Sequence, residues 1–110
     1  MRTLKFIVEG QTVKHDPKCD FSGLFPGTEN YIRLDFTFSP EWNNRVKVAS
    51  FWSMFGKEYE PRKLDAGVSC LVPTEALARR AYKVQIIGKG PDGSKITTEK
   101  ITIHQNGGKT

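Results

Sequence analysis

Residues 31–39, Tyr31-Ile32-Arg33-Leu34-Asp35-Phe36-Thr37-Phe38-Ser39, decide how this chain folds. Ile32, Leu34, Phe36 and Phe38 recur at a spacing of two, with Arg33, Asp35 and Thr37 between them. Successive side chains of a strand point to opposite faces, so this run has one apolar and one polar face. That pattern belongs to a sheet buried on one side and wet on the other. Pro40 stops it, because proline has no N–H to donate to a ladder.

Working outward, the same alternation returns on both sides. Toward the N-terminus, Leu4, Phe6 and Val8 share one face of a strand over 3–8, with Lys5 and Ile7 on the other. Gly10 breaks it, and a second short strand continues through Val13. Between Asp16 and Asn30 the chain carries Pro17, Gly23, Pro26 and Gly27 with no sustained period. This stretch reads as a loop whose Phe21, Leu24 and Phe25 tuck against the edge of the fold. Toward the C-terminus, Glu41 to Asn44 make a turn and extended character resumes over 45–55. There Val46, Val48, Trp52 and Met54 share one face, and Lys47, Ala49, Phe51 and Phe55 the other.

Further along, 57–64 reads as a polar edge strand and 68–72 as a short strand closed by Pro73. Thr74-Glu75-Ala76-Leu77-Ala78-Arg79-Arg80 is the one helix-prone piece, one or two turns with Thr74 near its N-cap. Tyr82, Val84 and Ile86 align in a strand that pairs with 96–105 across the Asp92-Gly93 turn. Ile101 and Ile103 are out of phase with Ile96, which predicts a bulge or break near 97–99. Seven to eight short antiparallel strands with one short helical crossover predict an all-β, immunoglobulin-like β-sandwich. With 110 residues it is one domain over 1–105, followed by a flexible tail over 106–110.

The composition, 37% hydrophobic and 26% charged, is that of an ordered globular chain. No run is long enough to cross a membrane, and nothing near Met1 reads as a signal peptide, so a cytoplasmic start is expected. Cys19 and Cys70 are then expected as free thiols. The net charge of +5, from 17 Lys and Arg against 12 Asp and Glu, favours an acidic partner. The basic residues are dispersed, as on a solvated surface, and form no basic arm.

Three constellations invite a chemical reading. His15, Cys19, Cys70 and His104 have donor atoms suited to zinc, but only His15 and Cys19 are close in sequence and no C-x2-C pair anchors them, so no metal is expected. Gly88-Lys89-Gly90-Pro91-Asp92-Gly93-Ser94-Lys95 resembles a phosphate loop only superficially: a strand follows it where a helix would be needed, which makes it a hairpin turn. The carboxylate pairs Asp16/Asp20 and Glu58/Glu60 fall in polar stretches without the burial that raises a pKa. With no nucleophile elbow either, the chain reads as a non-enzyme without cofactor.

The most informative feature is Phe51-Trp52-Ser53-Met54-Phe55-Gly56-Lys57-Glu58-Tyr59, where both faces of one strand carry large apolar groups. A sandwich strand buries only one face. If Trp52 and Met54 point inward, Phe51 and Phe55 need a cover, either the 21–25 loop or another chain. Aromatic residues and methionine are enriched at contact cores, so Phe51, Phe55 and Tyr59 are the candidate interface. Stacking of single-stranded nucleic acid, with Lys47, Lys57 and Arg62 alongside, ranks below a protein partner. A small-molecule ligand is not expected.

Several segments taken in order carry a family likeness. They are Leu4-Lys5-Phe6-Ile7-Val8, Phe36-Thr37-Phe38-Ser39-Pro40-Glu41-Trp42, Val48-Ala49-Ser50-Phe51, Cys70-Leu71-Val72-Pro73-Thr74-Glu75-Ala76-Leu77, Tyr82-Lys83-Val84-Gln85-Ile86-Ile87-Gly88, Ile96-Thr97-Thr98-Glu99-Lys100-Ile101-Thr102-Ile103 and Gly107-Gly108. This order resembles small virion-associated β-domains of tailed bacteriophages from Gram-positive hosts, of the baseplate, fibre or decoration type. The likeness spans nearly the whole chain, departs from the family at the aromatic loop 16–30, and contains no catalytic motif. It implies a structural or accessory protein that binds phage structural proteins or itself, located in the virion and in the host cytoplasm before assembly. It also implies that Trp42 caps one end of the core and that 73–77 crosses between the sheets. A phage-encoded inhibitor of a host defence protein is the alternative from another class.

Overall fold

Nine strands form in the computed structural model, which describes residues 1–105. The expected tail over 106–110 lies outside the described residues. In chain order the elements are β1 (Arg2–Glu9), β2 (Thr12–His15), β3 (Ile32–Phe38), a 3₁₀ turn (Pro40–Trp42), β4 (Val46–Ser53), β5 (Arg62–Lys63), β6 (Ser69–Leu71), α1 (Thr74–Leu77), β7 (Ala81–Lys89), β8 (Lys95–Thr97) and β9 (Ile101–His104). Sheet A has the order β2-β1-β3-β6. Sheet B runs β5-β4-β7-β8, with β9 following β8 along the same edge of β7.

The all-β, two-sheet architecture is the one the alternation predicts. One pairing departs from the expected antiparallel scheme: β1 and β3 are parallel, in register from Arg2 opposite Ile32 to Val8 opposite Phe38. A parallel pair needs a crossover of a dozen or more residues. Antiparallel β2 returns the chain toward the start of β1, and the 16–31 segment then crosses to the other side of β1 to begin β3. The Arg2 guanidinium secures this crossover, donating to the carbonyls of Asp20, Ser22 and Gly23. Phe21 and Leu24 pack onto the core as expected, but Phe25 is exposed. The backbone just after it is tied to α1 instead, the Gly27 amide donating to Leu77 O at 2.8 Å.

The core is filled by Leu4, Phe6, Val8, Leu34 and Phe36 from sheet A and by Ala49, Phe51, Tyr82, Val84 and Ile86 from sheet B. In β4, where the sequence left both faces open, the Ala49–Phe51 face is the inward one. Ala49 and Phe51 are fully buried, whereas Val46 and Met54 are exposed and Trp52 is half-buried on the outside, under the Lys100 ammonium at 3.7 Å. Pairing decides this: Phe51 lies opposite Val84 and Ala49 opposite Ile86, so they take the inward face that β7 has already fixed.

Trp42 closes one end of the core with no exposed surface. Its indole N–H donates to the Gly10 carbonyl at 2.8 Å, and its ring lies 5.2 Å from that of Phe38. Gly88 makes room for it, since a Cβ at this position would sit 2.7 Å from the ring. The expected helix is a single turn. Thr74 is its first residue, with Pro73 before it, and Ala76 and Leu77 are buried.

The out-of-phase isoleucines mark a real break. Thr98 sits between β8 and β9 and holds the gap by its own groups: its amide donates to Ile86 O at 3.0 Å and its hydroxyl oxygen accepts from the Ile86 amide at 3.0 Å. The glycine-rich 88–95 stretch is the hairpin between β7 and β8. Within it the Asp92 carboxylate accepts from the amide and the hydroxyl of Ser94.

Candidate functional site

The three candidate interface residues do not share one environment. Phe51 belongs to the core, and Tyr59 is nearly buried with 7% of its surface exposed. Phe55 is 99% exposed. Phe51 is therefore withdrawn from the interface, because an inward position on β4 leaves no surface for a partner. Phe55, being 99% exposed, is not covered by the loop at 21–25. Phe21 instead packs on Phe6 at 5.3 Å and stacks on His15 at 4.1 Å.

Phe55 stands at the tip of a tightly bonded hairpin. The Gly56 amide donates to Ser53 O at 3.1 Å, and the Ser53 amide donates to Lys57 O at 2.7 Å. The buried Ser53 hydroxyl oxygen also accepts from the amides of Phe55 and Lys57, at 3.2 and 2.9 Å. Gly56 has a φ of +91°, which a side chain would strain. A three-residue loop ending in a left-handed glycine is a standard hairpin connection. Its tip positions usually carry polar residues. Here they carry Met54 and Phe55, on a backbone with little freedom left.

Beside this tip lies a groove of 470 Å³ lined by Met54, Phe55, Lys57, Tyr59, Arg79, Arg80 and the ends of β4 and β7. Its floor is apolar and its rim cationic. None of Lys57, Arg79 or Arg80 forms an ion pair among the described residues, where the two ion pairs are Lys14–Glu9 and Arg33–Asp65. The two arginines are placed by Gln105, which is fully buried. Its side-chain amide donates to Leu77 O and Arg79 O, at 3.0 and 2.8 Å, and its backbone N–H donates to Arg80 O. Sequence reading missed Arg79, Arg80 and Gln105 as parts of this site. The only local signal is a pair of arginines just after a helical turn, which reads equally well as solvated surface.

The other constellations are dispersed or partly joined. Cys70 is buried in β6 opposite Leu34, and burial pushes its thiol up to about 12. Cys19 is held at the loop, where its sulfur accepts from the Lys5 amide. Both cysteines are free thiols. His15 and His104 are brought together across a pocket of 170 Å³ shared with Phe21, Leu24 and Ile103. Among the described residues no three potential metal ligands converge, and no helix is long and apolar enough to cross a membrane.

Partial burial, reinforced by the neighbouring His104 charge, lowers the His15 pKa. The unfolded chain therefore binds this proton more readily than the folded one. The His15 contribution is intact above the ordinary imidazole value of about 6.5 and is lost as pH falls below it. Thermal melts are expected to show a lower Tm at pH 5 than at pH 7.5, with a smaller difference in His15→Gln. An equal difference in that variant contradicts the assignment.

Comparison of the chain with protein-family models, with curated proteins and with solved structures finds no match.

Proposed function

We propose that this protein is a non-catalytic assembly protein that binds a protein partner through the Met54–Lys57 hairpin. The observation that carries the reading is the near-complete exposure of Phe55 on a hairpin held rigid by Ser53. An aromatic side chain fixed in water gains little for the fold. Buried in a partner's pocket it yields on the order of 2–3 kcal/mol from apolar area, with little ordering cost because the loop is already set. Lys57, Arg79 and Arg80, which have no ion pair among the described residues, surround it. The partner that fits is an apolar pocket edged by carboxylates, whose charges steer the encounter and fix the register.

The order of sequence segments, resembling phage virion β-domains, gives the setting: a structural or accessory component of a tail, baseplate, fibre or capsid. Mass spectrometry of purified virions tests that setting, with stoichiometric copies as the expected result and absence as the contrary one. The interface is tested by Phe55→Ser. Incorporation into particles is expected to fall at least tenfold, since a lost anchor typically exceeds about 1.4 kcal/mol, while the thermal midpoint stays within about 2 °C. Normal incorporation, or a large loss of stability, overturns the proposal.

A further inference from the structure

We propose that the outer face of sheet B binds single-stranded nucleic acid through its phosphate backbone, without regard to base sequence. Strand register sets which side chains share that face. Val48 lies opposite Lys63, Trp52 opposite Lys83, Val46 opposite Lys89, and Lys89 opposite Lys95. Since Ala49, Phe51, Val84 and Ile86 fill the inward positions of the same strands, these four lysines all stand on the side away from the core. Lys100 joins them, its ammonium 3.7 Å from the centre of the Trp52 ring. Glu58, bridged to Trp52, is the only carboxylate that the pairing of the described residues places there.

The opposite side of the molecule shows that this is no general property of the surface. On sheet A, Lys14 pairs with Glu9 at 2.9 Å, Arg33 with Asp65 at 3.2 Å, and Lys5 stands opposite Asp35. Charges there cancel. On sheet B they accumulate: five lysines share the outer face with one carboxylate that strand pairing places there. Lys89 and Lys95 even face each other directly across the ladder, a placement that destabilises a pair unless an anion lies between them.

The dimensions suit an extended polyanion. Lys83 and Lys89 are six residues apart on β7, about 20 Å, and the sheet from β5 to β8 spans about 14 Å. Lysine ammoniums are point charges that donate to a phosphate oxygen in any direction, so such a surface grips a backbone without selecting bases. Thr97 and Thr102, on the same face opposite Ile87 and Lys83, add hydroxyl donors. An aromatic ring set among cations on an open sheet is the combination used for single strands, whose bases stack where a duplex's cannot. This surface adjoins the Phe55 hairpin at the Trp52–Glu58 bridge, but its lysines lie on other strands, so the two assignments are tested by different substitutions.

Fluorescence anisotropy with a labelled oligothymidylate tests it on the full chain. Contacts to four phosphates predict a slope of about −3 for log affinity against log salt. Replacing three lysines together, Lys83→Gln, Lys89→Gln and Lys95→Gln, is expected to reduce the slope to about −1 and the affinity in 50 mM salt at least tenfold. Removing the Lys89–Lys95 repulsion leaves folding intact, which the thermal midpoint checks. Lys5→Gln with Lys14→Gln on sheet A, and Phe55→Ser at the hairpin, are expected to bind as the parent does. Absence of binding in 50 mM salt overturns the proposal. So does equal weakening by the sheet A substitutions, or tighter binding of a duplex or of heparin than of the single strand.

Discussion

Trp42→Ala is expected to cost about 3–5 kcal/mol, the range for truncating a large buried aromatic side chain. Three features of the site place it toward the upper end. The indole has no exposed surface, so its whole apolar area returns to water on unfolding. The Gly10 carbonyl loses the N–H that satisfies it at 2.8 Å. The surroundings also have little to collapse with, because the residue beneath the ring is Gly88, which has no side chain to move into the void. Thermal unfolding is expected to fall by roughly 12–30 °C for a domain of this size. Trp42→Phe keeps an aromatic ring and loses the hydrogen bond, and its midpoint is expected between the two. A midpoint for Trp42→Ala within a few degrees of the parent removes Trp42 from the core.

Phe51→Ala is the second large effect, again about 3–5 kcal/mol by urea unfolding. Its value lies in the contrast with Phe55, four positions away. Phe51 lies opposite Val84 with its ring centre 6.4 Å from that of Tyr82, whereas Phe55 touches mainly solvent. Phe55→Ala is expected to stay within about 0.5 kcal/mol of the parent, as exposed substitutions do. Similar losses at both positions contradict the inward assignment of Phe51.

That contrast also shows where sequence reading ran out. The alternation of Leu4, Phe6 and Val8, of Ile32 to Phe36, and of Tyr82 to Ile86 was enough to place three strands and their inward faces, because each has one apolar side. β4 has apolar groups on both sides, so period alone cannot orient it. The choice is made by its neighbour β7, through a pairing that no local pattern reveals. The parallel partnership of β1 and β3 is hidden for a similar reason: the signals at Gly10 and over 16–30 announce turns but not where the chain goes next. The break near Thr98 was legible because a phase shift is itself a periodic signal.

Of the candidate site, the aromatic cluster at 51–59 was visible as an excess of apolar groups. Its division into a core residue, an edge residue and an exposed tip was not. Exposure of Phe55 depends on the hairpin that Ser53 and Gly56 build, and the cationic rim depends on Gln105 reaching back to the end of α1. Both are contacts between segments. The lysines of sheet B illustrate the same limit: Lys63, Lys83, Lys89, Lys95 and Lys100 are dispersed along the chain and become one surface only through register.

The strand order has a consequence for synthesis. Three of the four strands of sheet A lie within the first 38 residues, and β1 sits between β2 and β3. A nascent chain thus carries the greasy side of Leu4, Phe6, Leu34 and Phe36 long before Val84 and Ile86, the lid for that side, have been translated. At ordinary elongation rates the interval is about 3–10 s, a window in which holdase chaperones, or crowding on neighbouring ribosomes, govern the yield of soluble protein.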